Sequence, residues 1–564
     1  MKKFSYFAII LYFLNTNFVY APAPKIDLTS KFKEIARKIV AKMSDKDKAG
    51  QVIHIAIPSK TVTEEIKQEI KKIKPGGIIV FGKNLGTREE IIGLTKNLQK
   101  EMKKLKKLPL FISIDQEGGR VVRVQKAVTE FPGAMALGQT QNPDNAYKVG
   151  FITSYELRKL GINLLFAPVM DINNNPDNPV INTRSFGSSL ETVTELACAY
   201  ERGARIGGAV PVIKHFPGHG DTNIDSHLGL PVINKSLEEL EQFELRPFQK
   251  SIQDGAKVVM TAHIVYPKLD KDYPTTLSKK ILNNILREKL KFRGVIITDS
   301  MEMDAIDEHY AHTQTAKLAI LSGADIILST EFGKTPYKYY KMILKAIKKK
   351  EFDVGGKNLL DEALIRQIAL KLEYGLLHQK TSYIKIKNKE VNDFVSASKR
   401  ERDTKYKELQ KEGIGELNQK ISGEAIKTYK KAFTPFSKAE TKSMVFYIKN
   451  QVLKSTIQKV LKKKLKFFSS KDLKKYLKKH NGQIIVLGTR EEKDVKFFYK
   501  LAKKYKKNKF LLLHYGSPFF KFPTNDSVNV IFSFSPTTES LKQLAKVTFT
   551  PGGKEIQSAD LILK

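Results

Sequence analysis

Between residues 50 and 330 the chain alternates short apolar runs with longer amphipathic stretches of helical periodicity, such as LETVTELACAYERGAR. The apolar runs are rich in β-branched residues, and in chain order they are GQVIHIAI (50–57), GGIIVFG (76–82), LPLFISID (108–115), NLLFAPVMDI (163–172), PVIKHFPG (211–218), AKVVMTAHI (256–264), GVIITDS (294–300) and ADIILST (324–330). Parallel strands that are buried on both faces give continuous apolar runs of this kind. Eight runs alternating with helices predict an α/β fold, a (β/α)8 TIM-type barrel, with an open doubly wound sheet as the alternative.

A smaller α/β sandwich domain is predicted after the barrel. Its strand candidates alternate with lysine-rich helices, which is typical of a parallel sheet, and they are KSMVFYIK, QIIVLGT, KFLLLHYG and VNVIFSF. A helix over 361–378 closes the barrel domain, and ISGEAIKTYKKAF in the charged stretch before the second domain also has a helical pattern. The predicted domains are therefore a catalytic barrel at 30–380, a charged linker and helix at 381–440, and a basic α/β domain at 441–564.

The first residues have the pattern of an export signal. Lys2 and Lys3 precede an uncharged apolar run at 4–14, and the small residues Ala21 and Ala23 follow. A membrane-spanning helix needs about 20 apolar residues, so this run is short for one. We expect a signal peptide at residues 1–23 and a periplasmic or extracellular protein. An uncleaved N-terminal anchor and a buried N-terminal element are the alternatives.

Charge and cysteine content narrow the class of protein. The single cysteine, Cys198, excludes an intramolecular disulfide framework and a zinc site built from several thiolates. The formal net charge is +39, and residues 381–564 contribute 41 lysines and arginines against 17 acidic residues. Such a surface is either simply solvated or attached electrostatically to an anionic wall polymer or membrane surface. No nucleic-acid partner is expected, because the chain has no recognition motif and an export signal is expected at its start.

Polar residues cluster where three of the predicted strands end. Asp115 ends the third strand, Lys214 and His215 end the fifth, and Asp299 ends the seventh. In a (β/α)8 barrel the chemistry lies at the carboxyl ends of the strands. One such aspartate is often only a helix cap, but three polar ends around one mouth predict an active site.

This set of residues suits hydrolysis of a glycosidic bond. Asp299, held at a strand end, suits the carboxylate nucleophile of a retaining glycosidase. In the loop after the fifth strand, Asp225 can orient His227 and stabilise its protonated form, which makes that imidazole a general acid and base near neutral pH. Charged side chains suited to a polar ligand are Lys214, Arg184, Arg123 and Asp115.

A metal site is the alternative interpretation of the same loop. His215, His219, Asp221, Asp225 and His227 include an H-x-x-x-H spacing. That spacing brings two ligands together on a helix, and the intervening Phe-Pro-Gly disfavours a helix. We therefore expect no metal, and no organic cofactor is expected either. The glycines of GHG are also typical of a tight loop, in which His219 and Asp221 would have only a structural role.

Four motifs in order resemble those of glycoside hydrolase family 3, in its bacterial β-N-acetylhexosaminidase branch. They are DQEGGRVVR (115–123), FAPVMDINNNPDNPVINTRSFG (166–187), KHFPGHGDTNIDSHLGLP (214–231) and GVIITDSMEMDAI (294–306). The resemblance covers roughly residues 40–380 and implies a (β/α)8-type barrel. It also implies that Asp299 is the nucleophile and that His227 is the acid/base, with Asp225 as its partner. The residues that would hold the sugar hydroxyls are Asp115, Arg123, Arg184, Lys214 and His215.

The resemblance implies a retaining exo-β-N-acetylglucosaminidase that acts on terminal β-linked N-acetylglucosamine of peptidoglycan or chitin-type sugars. The alternatives are a family 3 β-glycosidase of other sugar specificity, a phosphorylase, and a non-catalytic wall-binding protein. Because the D-S-H loop supplies a proton donor within the barrel, the C-terminal domain is expected to be dispensable for the chemistry. Glu117 and Glu302 lie close to the motifs, and the sequence assigns neither of them a role.

Overall fold

The structure is a computed structural model that describes residues 29–226, 229–303, 306, 312–377, 383, 389–429, 433–437, 439–519, 528–551 and 553–559. The predicted signal peptide at 1–23 lies outside these residues. Within the described part of the chain, no helix has the length and apolar character needed to cross a membrane.

Nine short parallel strands form the first part of the molecule. They are β1 (Ile53–Ala56), β2 (Gly77–Ile79), β3 (Phe111–Ile114), β4 (Leu164–Leu165), β5 (Val210–Pro211), β6 (Ile213–Phe216), β7 (Val258–Thr261), β8 (Val295–Ile297) and β9 (Ile327–Leu328). One residue, Val212, separates β5 from β6, so these two occupy one strand position. Each of the eight predicted apolar runs contains a strand.

The strand pairings run around a ring. One sheet has the order β5-β4-β3-β2-β1-β9 and the other has the order β6-β7-β8. Parallel bridges between Val169 and Lys214 and between Ile297 and Ile326 connect the two sheets at both junctions. The α/β class with parallel strands in barrel order is therefore confirmed.

Helices cover the outside of this ring because each has one apolar face. They are Thr29–Val40, Asp45–Gln51, Glu64–Ile73, Arg88–Lys104, Ala134–Thr140, Pro143–Lys159, Leu190–Gly207, Leu237–Gln242, Leu245–Gln253, His312–Ser322, Lys334–Lys348 and Leu359–Glu373, with a π-helix at Lys280–Lys289. Side chains such as Phe111, Phe166 and Met260 fill the interior of the ring, and a second apolar layer lies between strands and helices. The packed interior leaves the strand ends as the place for a site.

A separate five-stranded sheet lies in the C-terminal part of the chain, and we call it the second sheet. Its order is β12 (Lys427–Thr428), β16 (Val528–Phe532), β15 (Lys509–His514), β14 (Ile484–Thr489) and β13 (Met444–Ile448). Apolar clusters fill both faces of this sheet, whose helices are Gln451–Val460, Ser470–Leu477, Glu492–Lys504 and Thr538–Phe549. All four strand candidates form parallel strands, as predicted. A small antiparallel pair, β10 (Asp353–Val354) and β11 (Lys357–Asn358), lies between the last two helices of the barrel.

The helix prediction for ISGEAIKTYKKAF is wrong beyond its first residues. The helix there ends at Glu424, and β12 follows and pairs antiparallel with β16. The helical pattern arises from the spacing of apolar side chains. The conformation of Lys427–Thr428 is set instead by backbone hydrogen bonds to β16, about a hundred residues further along the chain.

Two helices connect the barrel to the second sheet. We call Lys389–Glu412 the first linker helix and Ile414–Glu424 the second linker helix. The first packs on the barrel helix Pro143–Lys159, where Tyr406 stacks on Tyr155 with ring centroids 4.0 Å apart. The predicted domain boundaries at 380 and 440 stay a prediction.

Candidate functional site

Charged side chains from neighbouring strands meet at the carboxyl ends of the barrel. Lys214 in β6 donates to Asp115, which directly follows β3, with Nζ 2.8 Å from Oδ1. The same ammonium lies 2.7 Å from Oε1 of Glu117. Lys214 is 2% exposed and Glu117 is 7% exposed, so the charges are removed from water and neutralise one another.

Arg184 completes this network from a 3-10 turn (Asn182–Arg184) that follows β4 in the chain. Its Nε and Nη2 donate to the two carboxylate oxygens of Glu117 at 2.9 and 2.8 Å, a bidentate pair. Burial disfavours the ionised form of Glu117, but Arg184 and Lys214 outweigh it and hold the pKa of the carboxyl far below its ordinary value. The pKa of Lys214 is raised despite burial, because Asp115 and Glu117 surround it.

His215 lies beside this network in a fixed orientation. Arg184 Nη2 lies 3.3 Å from His215 Nε2. On the other side of the ring, His215 Nδ1 donates to Asp171 Oδ2 at 2.6 Å. Burial raises the pKa of Asp171, but His215 and the hydrogen bond from the His219 backbone N–H outweigh it and hold the pKa of the carboxyl below its ordinary value.

Asp299 follows β8 and faces the same group of cations and imidazoles. Burial works against its ionisation, but His215, His263 and the backbone N–H of Ser300 lower the pKa of its carboxyl below the ordinary value. The Ser300 N–H donates to Asp299 Oδ1 at 2.8 Å, and His263 Nε2 donates to the Ser300 carbonyl at 2.8 Å. Asp299 is therefore an ionised carboxylate. His263, which follows β7, holds the backbone next to it.

The loop after β6 is held in shape from within. His219 uses both ring nitrogens, Nδ1 with Thr222 Oγ1 and Nε2 with Ser226 Oγ, each at 3.0 Å. Burial lowers the pKa of His219 to about 4, so it is neutral and structural. Asn178 crosses from the loop after β4 and donates to the carbonyls of His219 and Gly220 at 2.8 and 2.9 Å.

The predicted acid/base pair falls at the end of that loop. Asp225 is described and is partly exposed, whereas His227 lies outside the described residues. Asp221, the other loop carboxylate of the metal interpretation, pairs with Lys235 at 2.7 Å. Among the residues that the structure describes, no group of three or more His, Cys, Asp or Glu side chains is arranged to hold a metal ion.

Arg123 lies apart from the buried network, on the loop that follows β3. We call residues 118–133 the β3 loop. The backbone N–H of Arg123 donates to Gln116 Oε1 at 2.9 Å, and the side chain is half-buried. With Phe81 and Arg88 it lines a groove of about 950 Å³.

The structure thus brings Asp115, Arg184, Lys214 and His215 together and places Asp299 in their electrostatic field. It adds Glu117, which bridges the two cations, and Asp171 and His263, which orient neighbouring groups. The sequence analysis did not name Asp171 or His263 as orienting residues. Both lie near the ends of apolar runs, the same position that identified Asp115 and Asp299 as candidates. Glu302 is half-buried beside Ser300, Ser329 and Thr330 and accepts hydrogen bonds from all three.

Comparison with known proteins identifies the family. Residues 45–364 match the model of the glycosyl hydrolase family 3 N terminal domain. Beta-hexosaminidase A of Pseudoalteromonas piscicida is 39% identical over 285 residues, which are 48% of this chain and 48% of that protein. The chain therefore spans about half the length of that relative. A beta-hexosaminidase of Neisseria meningitidis is 38% identical over 274 residues, covering 47% of this chain and 74% of that protein.

Solved structures agree with the sequence relatives. A glycoside hydrolase family 3 beta-N-acetylglucosaminidase from Paenibacillus sp. is 27% identical with a TM-score of 0.78, covering 91% of this chain and 98% of that one. A beta-glucoside phosphorylase, 22% identical with a TM-score of 0.71, covers 92% of this chain and 95% of its own and shares the fold. The family model spans more than half of the 564 residues, and its span includes every charged side chain of the buried network. The chain belongs to glycosyl hydrolase family 3, a family of glycoside hydrolases.

Proposed function

We propose that the protein is a retaining exo-β-N-acetylglucosaminidase that hydrolyses terminal β-linked N-acetylglucosamine through a covalent glycosyl-enzyme. The observation that carries the proposal is the ionised Asp299 beside a buried network of cations and carboxylates at the carboxyl ends of the strands. The names of the relatives, beta-hexosaminidase and beta-N-acetylglucosaminidase, support the choice of sugar.

Asp299 is the nucleophile in this proposal. One of its oxygens attacks the anomeric carbon while the bond to the leaving oxygen breaks, which gives the glycosyl-enzyme. A nucleophile has to be ionised, and His215 and His263 lower the pKa of the Asp299 carboxyl. His263 also bonds to the Ser300 carbonyl and thereby limits movement of the backbone next to the nucleophile.

His227, with Asp225 as its partner, is the proposed acid and base. It protonates the leaving oxygen in the first step and removes a proton from water in the second. Support from the described residues is indirect, since Asn178 and His219 hold the loop on which Asp225 stands. Because these hydrogen bonds fix the inner part of the loop, it is suited to carry a group that must reach the leaving oxygen.

The buried network is the proposed sugar-binding surface. Asp115 offers carboxylate oxygens to hydroxyl donors, and Lys214, Arg184 and His215 complete the ring of polar groups. Arg123 is assigned to the rim of this surface. Because Glu117 already fixes Arg184 and Lys214, the donors are oriented before a sugar arrives, and less ordering is needed on binding.

We further propose that the substrates derive from peptidoglycan or chitin-type sugars and that the protein is exported. The N-terminal pattern of residues 1–23 supports export, and the lysine-rich C-terminal sequence supports electrostatic attachment to an anionic wall or membrane surface. Salt weakens such attachment, so release of the protein from anionic wall material at high ionic strength tests it.

Paired aryl glycosides test the reaction. The purified chain is given aryl β-N-acetylglucosaminide or aryl β-glucoside, each with and without inorganic phosphate, and the Asp299→Ala variant serves as the inactive control. We expect turnover of the N-acetyl substrate without phosphate, and a loss of at least about 10³-fold in kcat in the variant.

Other outcomes identify the alternatives. Turnover of the glucoside alone would make the chain a β-glycosidase of another specificity, and a rate that requires phosphate would make it a phosphorylase. No turnover of either substrate by a chain that is folded and binds N-acetylglucosamine would contradict the proposal in favour of a binding protein.

A further inference from the structure

The β3 loop is held by parts of the chain that follow the barrel. This loop carries Arg123 and forms one wall of a groove whose other wall is the segment that follows β2. Inside the barrel domain it is fixed by Gln116, which bonds to the backbone at both 123 and 124, and by Arg88, which donates to the Ala127 carbonyl at 3.2 Å. Beyond residue 127, contacts to the later elements are added to those from the barrel.

The first linker helix reaches the loop through Glu156. That carboxylate, on the barrel helix Pro143–Lys159, accepts from the Thr129 N–H at 2.6 Å and from the Thr129 hydroxyl at 3.0 Å. Tyr406 of the first linker helix donates its hydroxyl to the same carboxylate at 2.8 Å. Glu156 is 9% exposed, so an acceptor with three donors in that position is held in one geometry.

The second linker helix and the second sheet hold the next residue. Asn418 of the second linker helix donates to the Glu130 carbonyl at 3.1 Å. The Glu130 carboxylate accepts from the Thr538 N–H at 3.4 Å, at the first turn of the helix Thr538–Phe549. A carboxylate at a helix N-terminus is stabilised by the free N–H groups and the helix dipole.

Packing closes the two ends of the loop against the second domain. Gly119 has a φ of +56°, and a Cβ there would lie 2.6 Å from the Gly133 Cα, so the two ends of the loop are in close backbone contact. The same Cβ would lie 3.5 Å from the Ser535 Oγ, which is van der Waals contact with the second domain. Directly after the loop, Met135 and Ala136 are buried in an apolar cluster with Phe534 and other residues of the second sheet.

We propose that the linker helices and the second domain position the β3 loop, and with it Arg123, for substrate binding. Glu156, Tyr406, Asn418 and Glu130 are then positioning residues, which act on the sugar through the loop. The proposal rests on the proposed function in one respect, that Arg123 contacts the sugar. The C-terminal part of the chain thereby contributes to sugar affinity, whereas the proposed nucleophile and acid/base both belong to the barrel.

Two substitutions on one helix separate this role from general stability. Tyr406→Phe removes the donor to Glu156 and keeps the ring that stacks on Tyr155. Asp403→Asn is the matched control, because Asp403 also joins the first linker helix to the barrel, through Tyr155 at 2.7 Å and Lys159 at 3.0 Å, without touching the loop. We expect KM for the aryl N-acetylglucosaminide to rise about tenfold in Tyr406→Phe with kcat within about twofold, and neither to change in the control.

The loop itself gives a second test with a rescue variant. Thr129→Val removes the hydroxyl donor to Glu156 and is expected to raise KM as Tyr406→Phe does. Thr129→Ser keeps that donor and is expected to restore the wild-type KM. Amide hydrogen exchange within residues 118–133 should be faster in Tyr406→Phe and in Thr129→Val than in wild type, and unchanged in Asp403→Asn.

The outcomes distinguish this proposal from the proposed function. An active wild type whose Tyr406→Phe and Thr129→Val variants match the Asp403→Asn control in KM and in exchange would overturn the positioning role. A wild type that hydrolyses neither glycoside would remove the proposed function, while exchange in the β3 loop would still decide whether the later elements restrain it.

Discussion

A single carboxylate, Glu117, connects the two cations of the site, and its replacement is informative. Glu117→Gln keeps the shape of the side chain but removes the charge between Arg184 and Lys214, which then repel one another in a buried space. Hydrogen bonds to charged groups contribute about 1.5–3 kcal/mol each, so we expect kcat/KM to fall by roughly 10²-fold. Steady-state kinetics on the aryl N-acetylglucosaminide measure this.

The matched control for Glu117 is Glu69→Gln. Glu69 is also buried, but it lies on the Glu64–Ile73 helix and burial raises the pKa of its carboxyl, so a neutral side chain suits the position. Its kinetics should equal those of the wild type. Unchanged kinetics in Glu117→Gln would mean that Arg184 and Lys214 do not need this carboxylate for their orientation.

At the residue scale the sequence predicted the charged groups but not their connections. Asp115, Lys214 and Asp299 stand at the ends of apolar runs, and that position alone made them candidates. The bidentate pair of Glu117 with Arg184 joins residues 67 positions apart, and no local pattern encodes it. The roles of these residues in a reaction, and that of His227, stay predictions.

At the scale of elements, Asn178 joins two loops and sets the shape of the one that carries Asp225. It is 1% exposed, donates to two carbonyls of the loop after β6, and accepts from the N–H groups of Val180 and Ile181. Asn178→Ala leaves these groups without partners, at about 1–3 kcal/mol for each buried group. We expect kcat to fall more for glycosides with poor leaving groups than for activated aryl glycosides, because the displaced loop carries the proposed acid.

Asn418→Ala is a suitable comparison for Asn178→Ala, since it removes a half-buried asparagine that also bonds to a loop carbonyl, but away from Asp225. Its effect should be on KM and should be the same for both kinds of leaving group. An equal loss of kcat on both kinds of substrate in Asn178→Ala would contradict the link between this loop and proton transfer.

The strands were the most predictable elements, and the contacts between distant elements were the least. Apolar runs mark parallel strands because burial on both faces leaves no room for polar residues. The pattern fails at Lys427–Thr428, where a short edge strand follows a helix and its pairing with β16 is set by backbone hydrogen bonds. The first linker helix lies in a stretch that the sequence marked only as charged, and the sequence does not say on which barrel helix it packs.

On the scale of the whole molecule, the two ends of the barrel differ in what their buried charges do. At the carboxyl ends, cations and carboxylates neutralise one another. At the amino-terminal ends Lys371 is fully buried and donates to the carbonyls of Gly76 and Pro109 at 3.0 and 2.7 Å, while its ammonium faces the ring of Phe111 at 4.8 Å. Lys371 has no described carboxylate partner, and burial lowers its pKa from 10.5 to about 7.

This lysine makes the stability of the barrel depend on pH in a defined direction. Above about pH 7 the folded protein has lost the Lys371 proton, whereas the unfolded chain keeps it until about pH 10.5. Unfolding then takes up a proton, so the free energy of unfolding rises with pH between these values, by at most about 1.4 kcal/mol per pH unit.

In Lys371→Met this contribution is absent. Denaturant unfolding at pH 7, 8 and 9 measures the free energy of unfolding of both proteins. We expect the value for wild type minus the value for Lys371→Met to increase with pH. Lys257→Met, which removes a half-exposed lysine paired with Glu373 at 2.9 Å, should follow the wild-type slope. Parallel slopes for wild type and Lys371→Met would show that Lys371 keeps its proton in the folded barrel, stabilised by the two carbonyls and the Phe111 ring.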